Sequence, residues 1–482
     1  MHKIKNLDKG KEIPGNMIWS FKKYSSNIAC IDEEGNKTNY DELSNASLRF
    51  SQIIRPRSLV FSFCENVTGS LVGYVSFLTN NIVPLLLDSN MDIELIHHLI
   101  ETYKPSFIWL PEYKSFLDYE VIFSDWRYNL LKTNLIPYTL NDELALLVTT
   151  SGSTGSPKLV RQSYKNLESN TDSIIQYLKI DSTERPITTL PMNYVYGASI
   201  INTHLLQGAT ILLTTKALVQ KEFWQFLKEY NATSIAGVPY TYEMLEKLRF
   251  YKMELPSLRS MTQAGGKLHP DLHKKFAEFA ETNGLEFTIM YGAAEATARM
   301  GYLPSEKALE KYGCMGIAIP GGRFELIDDS GNIINNINIT GELVYYGENV
   351  TLGYAECGDD LIKGDERNGR YKTGDLATCD KDGYYTIVGR KNRFLKLFGN
   401  RVGLDETERM LNNAFPDFDC ACSGVDDKIT VFITKPQAGD SVIKFLSEKT
   451  SIHPSAFKIK IIPVIPRNES GKIQYNELRI DD

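Results

Sequence analysis

Short apolar, often β-branched runs punctuate this chain at 28–31, 59–63, 82–87 and 107–110, and they read as strands. The stretches between them, 39–54, 67–80 and 92–103, carry helical spacing, with Asn39 or Asp41 placed to cap the first. Strands alternating with helices imply βαβ units and a mostly parallel sheet over residues 1–140. A second such unit follows. It has a strand ending at 146–149, a strand that turns at 188–197 into an apolar helix containing His204, a strand at 210–214, a helix at 221–230 and a strand from 234. Further on, 316–321 and 341–347 read as β-structure with turns. The fold class is therefore α/β, with no internal repeat and no low-complexity tract.

Composition narrows the class without naming a chemistry. A length of 482 residues suggests two or three domains. The net charge of −7 supplies no basic stripe, so nucleic acid is not an expected partner. The seven cysteines are odd in number, scattered and without a Cys-x-x-Cys pair. This argues against a disulfide framework and a zinc site, and for a reducing cytoplasm. The N-terminal stretch lacks the apolar run of a signal peptide, and 71–87 is too short and too rich in asparagine to span a bilayer. We therefore expect no transmembrane segment.

The first chemical signal is TSGSTGSPK over 150–158, directly after the strand end. Two glycines let the backbone fold tightly and aim several N–H groups at one point. Five hydroxyls add donors, and Lys158 adds a mobile positive charge. An oligophosphate fits that cradle. The spacing is not that of a Walker loop.

The run instead resembles the signature loop of the adenylate-forming superfamily, which includes AMP-forming acyl-CoA synthetases, peptide-synthetase adenylation domains and firefly-type luciferases. Further stretches resemble the family in the family's order: TQAGG at 262–266, YGAAEAT at 291–297, YKTGD at 371–375, GRKNR at 389–393 and PRNESGK at 466–472. The resemblance covers the chain from about residue 20. It implies a large N-terminal domain, 1–391, of two α/β subdomains plus a β-rich subdomain, which binds ATP and a carboxylate. A small mobile α+β C-terminal domain, 392–482, follows, hinged near Asn392.

The resemblance also implies roles. Thr150, Ser151, Gly152, Ser153, Thr154, Gly155 and Lys158 would hold phosphates. The backbone of Gly265 and Gly266 would lie against adenine, and Tyr291, followed by Gly292, would stack on it. Asp375 would take the ribose hydroxyls, with Arg390 at the nucleotide. Glu295 would bind Mg²⁺ as a hard oxygen ligand. Lys472 would serve the substrate carboxylate and α-phosphate. Gly399 would let a pantetheine arm pass, and Arg401 would help hold phosphate. Tyr194, Tyr196, Gly197 and Val238 fall at the acyl pocket, Tyr194 standing where many acyl-CoA synthetases carry His. The chain departs from the family at Ala294, where Thr is usual, and at Asn392, where Asp or Lys is usual.

The expected reaction is acid activation by ATP to an acyl-adenylate, then transfer to a thiol. The acceptor is CoA or the phosphopantetheine of an acyl carrier protein, and the acid is a small molecule. No Asp or Glu occurs between Pro186 and Lys221 to hold a substrate ammonium, which counts against an α-amino acid. An amino-acid-activating carrier-protein ligase and a catalytically impaired nucleotide-binding homologue stay open at this stage.

Overall fold

The computed structural model describes Trp19 and residues 21–114, 117–149, 158–391, 393–397, 400–425, 427–450, 452–468 and 471–478. Among these, two large mixed sheets form the body. In the first, Leu59–Cys64, Val83–Asp88, Phe107–Pro111 and Leu144–Thr149 run parallel. In the second, the parallel part runs through Ile28–Ile31, Ile211–Leu212, Pro186–Ile187, Ser234–Gly237, Ser260–Gln263 and Glu286–Tyr291. The expected parallel order thus holds in the centre of each sheet. It fails at the edges, where Leu159–Ser163, Tyr128–Lys132 and Gly301–Leu303 pair antiparallel. The connections to Leu159–Ser163 and Gly301–Leu303 are too short for a crossover, which needs a dozen residues or more.

The local signals act as their chemistry dictates. Asn39 caps the helix Tyr40–Ile53 in a reciprocal box with Glu42, and Ser163 caps Tyr164–Leu178 in the same way with Asn166. Two helices, Thr68–Thr79 and Val195–Leu206, are apolar on nearly every side and buried in one core cluster. The Tyr74 hydroxyl joins them by donating to Asn202 Oδ1 at 2.9 Å.

The two α/β units are interleaved. Ile28–Ile31, from the first, pairs with Ile211–Leu212 of the second sheet. Gly353–Ala355, from far downstream, adds to the first sheet beside Leu159–Ser163. A four-stranded antiparallel sheet, Arg323–Ile327, Gly341–Tyr346, Arg370–Cys379 and Tyr385–Arg390, makes the β-rich part.

The C-terminal lobe has its own core, built on the three-stranded sheet Cys420–Val425, Lys428–Ile433 and Phe457–Ile461 and the helices Leu404–Ala414 and Gly439–Thr450. Side-chain allegiance changes abruptly at its start. Lys391 pairs with Glu342 of the β-rich sheet at 2.9 Å. Arg393 pairs with Glu408 at 2.8 Å and lies 3.7 Å from the Tyr475 ring centre, both within the lobe. Asn392, between them, lies outside the described residues. The lobe touches the body where His269 Nε2 meets Asn413 Oδ1 at 2.7 Å. Among the described residues no helix is long and apolar enough to cross a membrane.

Candidate active site

One corner is built on a hairpin. Arg370–Cys379 and Tyr385–Arg390 pair so that Asp375 faces Arg390, and Arg390 Nε donates to Asp375 Oδ1 at 3.0 Å. The other Asp375 oxygen accepts the hydroxyl of Tyr291, which ends the strand Glu286–Tyr291. Burial and the Asp375 charge push the Tyr291 phenol well above its ordinary value, so it is a donor at neutral pH. Gly292 has to be glycine, because a Cβ there would lie 1.8 Å from the Ala298 carbonyl oxygen.

A second corner surrounds Glu295, on the single turn Ala294–Ala296. Its Oε1 accepts the Tyr354 hydroxyl at 2.7 Å. Its backbone carbonyl takes the Thr351 N–H and the Arg367 guanidinium, each at 3.0 Å. Arg367 lies 4.5 Å from the Tyr354 ring centre. Lys158 pairs with Glu356 at 2.6 Å and stands 5.6 Å from the same ring. The short strand Gly353–Ala355 therefore ties Lys158 to Glu295. The rest of the phosphate loop, Thr150, Ser151, Gly152, Ser153, Thr154 and Gly155, lies outside the described residues. Thr297 does not make up for the hydroxyl lost at Ala294, since it donates to the Asn349 carbonyl at 2.8 Å inside the core.

The third corner is apolar with hydroxyls. Tyr196, Val238, Ala264 and Met290 form one buried cluster, with Tyr177 and Tyr194 packed on it. Gly197 is buried in the first turn of Val195–Leu206. Gly265 has φ +84°, and a Cβ there would meet the Tyr194 hydroxyl at 2.7 Å and Val238 Cγ1 at 3.0 Å. Gly266 lies against Pro239.

From the lobe, Lys472 brings its Nζ to 5.9 Å from the Tyr194 ring centre. Its Asn468 turn is closed by the Lys472 N–H on Asn468 Oδ1 at 2.9 Å. Loss of hydration, and then the Arg390 charge, lower the Lys472 pKa, while Glu295 and Asp375 raise it. All four groups therefore share one electrostatic field.

Residues 18–355 match the family described as AMP-binding enzyme. The chain belongs to that family. Among curated members it is 28% identical over 353 residues to a 4-coumarate–CoA ligase-like protein of Oryza sativa subsp. japonica, a match spanning 70% of this chain and 63% of that relative. It has the fold of the o-succinylbenzoate CoA synthetase of Bacillus subtilis. The TM-score is 0.78 at 20% identity to the complex with an acyl-adenylate intermediate, covering 96% of this chain and 98% of that one. Against the same enzyme with ATP and magnesium ion the TM-score is again 0.78 at 20% identity, covering 95% and 98%.

In this member of the AMP-binding family, Tyr291 and Arg390 both bond Asp375, Lys472 lies in the field of Arg390, Glu295 and Asp375, Lys158 stands over Tyr354, which bonds Glu295, and Tyr194, Tyr196, Val238 and Gly265 pack together. Gly399 and Asn392 lie outside the described residues, as does the Arg401 side chain. Sequence reasoning missed Tyr354, Arg367 and Tyr177, which sit in no conspicuous pattern. It also passed over Arg299, whose signal was a lone charge between Ala298 and Met300.

Proposed function

We propose that this chain is an AMP-forming acid–thiol ligase. A substrate carboxylate attacks the α-phosphorus of ATP and expels pyrophosphate, giving an acyl-adenylate. The thiol of CoA then attacks the acyl carbon and releases AMP. The observation that carries this reading is the placement of Lys472, from the lobe, 5.9 Å from the Tyr194 ring centre of the body, where the charges of Arg390, Glu295 and Asp375 act on it. Family membership and relatives named as CoA ligases support it.

No general base is required, because the attacking carboxylate is already ionised. The protein's contribution is positioning and charge stabilisation. Asp375 would accept the ribose hydroxyls, with Arg390 and Tyr291 holding its orientation. Gly265 and Gly266 would leave room for adenine. Lys158 and the hydroxyl loop would hold the departing pyrophosphate. Lys472 would sit against the α-phosphate and the acid, whose chain enters past Tyr194 toward Tyr196. Glu295 would hold Mg²⁺, which would supply positive charge against the phosphates. Glu295 is the fitting ligand, since one carboxylate plus phosphates is the usual magnesium donor set and Tyr354 orients the group.

We place the hinge between Lys391 and Arg393, where side chains change partners from body to lobe. Rotation there would withdraw Lys472 and bring in the segment bearing Gly399 and Arg401 for thiol transfer. All seven cysteines are free, which suits a reducing cytoplasm.

The test separates the half-reactions. Lys472→Ala should abolish acid-dependent ATP–pyrophosphate exchange and preserve thioester formation from supplied acyl-adenylate. Equal loss of both would sink the assignment of Lys472 to one conformation.

A further inference from the structure

The acyl end of the site holds a cation that no carboxylate answers among the described residues. Arg299 is 3% exposed and follows the turn that carries Glu295. Its backbone is pinned on both sides: its N–H donates to Asn170 Oδ1 at 3.3 Å, and its carbonyl accepts Asn170 Nδ2 at 3.0 Å and Asn349 Nδ2 at 2.8 Å. The side chain is thereby directed into the tyrosine cluster. The guanidinium carbon lies 3.9 Å from the Tyr196 ring centre. Nε reaches only the Met290 sulfur, a weak acceptor, at 3.4 Å, and Nη1 reaches the Ala298 carbonyl, also at 3.4 Å. The Tyr177 hydroxyl also bonds the guanidinium, but among the described residues Arg299 has no ion pair. The acids nearest the chemistry are otherwise engaged, Asp375 by Arg390 and Tyr291, and Glu295 by Tyr354.

A buried guanidinium without a counter-charge is costly, and the Tyr196 face offsets only part of that cost. Three hydroxyls gather near it. Burial pushes Tyr177, Tyr194 and Tyr196 up, and Arg299 opposes the rise in each case. These phenols stay protonated at neutral pH; Tyr177 donates to the Met290 sulfur at 3.1 Å and Tyr196 shares a hydrogen bond with the Thr262 hydroxyl at 2.8 Å, which leaves Tyr194 as the donor on offer. The fork of Arg299 suits a carboxylate, which it can hold with two parallel bonds. Placement along the pocket follows from three contacts: Lys472 over Tyr194 at 5.9 Å, Tyr194 against Tyr196 at 6.3 Å, and Tyr196 under Arg299 at 3.9 Å. The exposed Lys472 and the buried Arg299 thus stand at opposite ends of one run of tyrosines.

We propose that the acid activated here is a dicarboxylic acid, with one carboxylate presented to Lys472 and the other paired with Arg299. The inference rests on the acid–thiol ligase reading and names its substrate class. It also accounts for a pocket that carries donors and a cation but no acid among its described residues.

The test uses the whole protein and a panel of α,ω-dicarboxylic acids from malonate to sebacate, plus benzenedicarboxylic acids. Each diacid is paired with its monomethyl ester and with the monocarboxylic acid of equal length. Two readouts run in parallel: acid-dependent ATP–pyrophosphate exchange, and calorimetric binding of the acid in the presence of a non-hydrolysable ATP analogue. At least one diacid should exceed its ester by roughly 100-fold or more in kcat/KM, because the ester leaves Arg299 unpaired. Arg299→Leu should collapse that ratio and improve the matched monocarboxylic acid, while AMP binding is unchanged. Arg299→Lys should retain part of the preference. The wild-type panel decides the question even if Arg299→Leu fails to fold. If every ester or monocarboxylic acid matches its diacid in both readouts, the inference is overturned. If diacids bind selectively through Arg299 but no acid supports exchange, the ligase reading falls and the dicarboxylate site stands.

Discussion

Replacing Arg161 with methionine should cost about 3 kcal/mol of stability, and the structure shows where that figure comes from. Arg161 lies on Leu159–Ser163, three residues past Lys158, and its side chain is fully buried. Its guanidinium donates to the carbonyls of Tyr354 at 3.0 Å, Gly364 at 3.2 Å and Leu352 at 3.4 Å, to the Lys363 carbonyl and to the Glu366 carboxylate. Methionine fills a similar shape but leaves about three well-placed carbonyls without a donor, at about 1 kcal/mol each. The lower end of the range applies because the guanidinium itself no longer has to be buried. Burial already lowers the Arg161 pKa more than Glu366 restores it.

Glu366 is 49% exposed, so Glu366→Gln should cost no more than about 1 kcal/mol. Urea unfolding followed by tryptophan fluorescence reads both, since Trp109 and Trp19 are in the core of the body. The same variant should raise the magnesium concentration needed for pyrophosphate exchange. The segment that Arg161 anchors carries Tyr354, and Tyr354 holds Glu295. A loss under about 1 kcal/mol for Arg161→Met, or an equal loss for Glu366→Gln, would refute the reasoning, because carbonyl satisfaction rather than the ion pair is what it invokes.

Two further outcomes follow from the site. Asp375→Asn should weaken AMP binding by roughly 10- to 100-fold, the size of one or two charge-assisted hydrogen bonds, and calorimetry within two-fold of wild type would remove Asp375 from the nucleotide site. Pyrophosphate exchange needs protonated Lys472, whose pKa lies below the ordinary 10.5. Activity should therefore fall as pH rises through that lowered value, while thioester formation from supplied acyl-adenylate keeps its rate. An alkaline limb of the same position in Lys472→Arg would assign it to another group.

The parts legible in the sequence were those whose chemistry is local. The capping pairs Asn39 with Glu42 and Ser163 with Asn166 are written within three residues of each other. Tyr371 to Asp375 and Arg390 fall on the two strands of one hairpin, so their meeting is a matter of register. Tyr194 and Tyr196, expected at the acyl pocket, stood out through the resemblance at the start of an apolar helix. Tyr354 was not, because its partner Glu295 is 59 residues away and nothing near Tyr354 signals a carboxylate.

By itself the sequence determined the elements, their order, the α/β class and the class of reaction to expect. Phosphate cradles, caps and hairpin pairs depend on backbone turns and neighbouring side chains, and a linear pattern carries that information. Tertiary structure decided how the units interleave, with Ile28–Ile31 crossing into the second sheet and Gly353–Ala355 returning to the first. It also decided that Arg161 is satisfied by chain some 200 residues away, and that Arg299, no more conspicuous in sequence, is buried without an ion pair among the described residues. Whether a charge finds its partner depends on what long-range packing sets against it, and burial makes that answer count energetically.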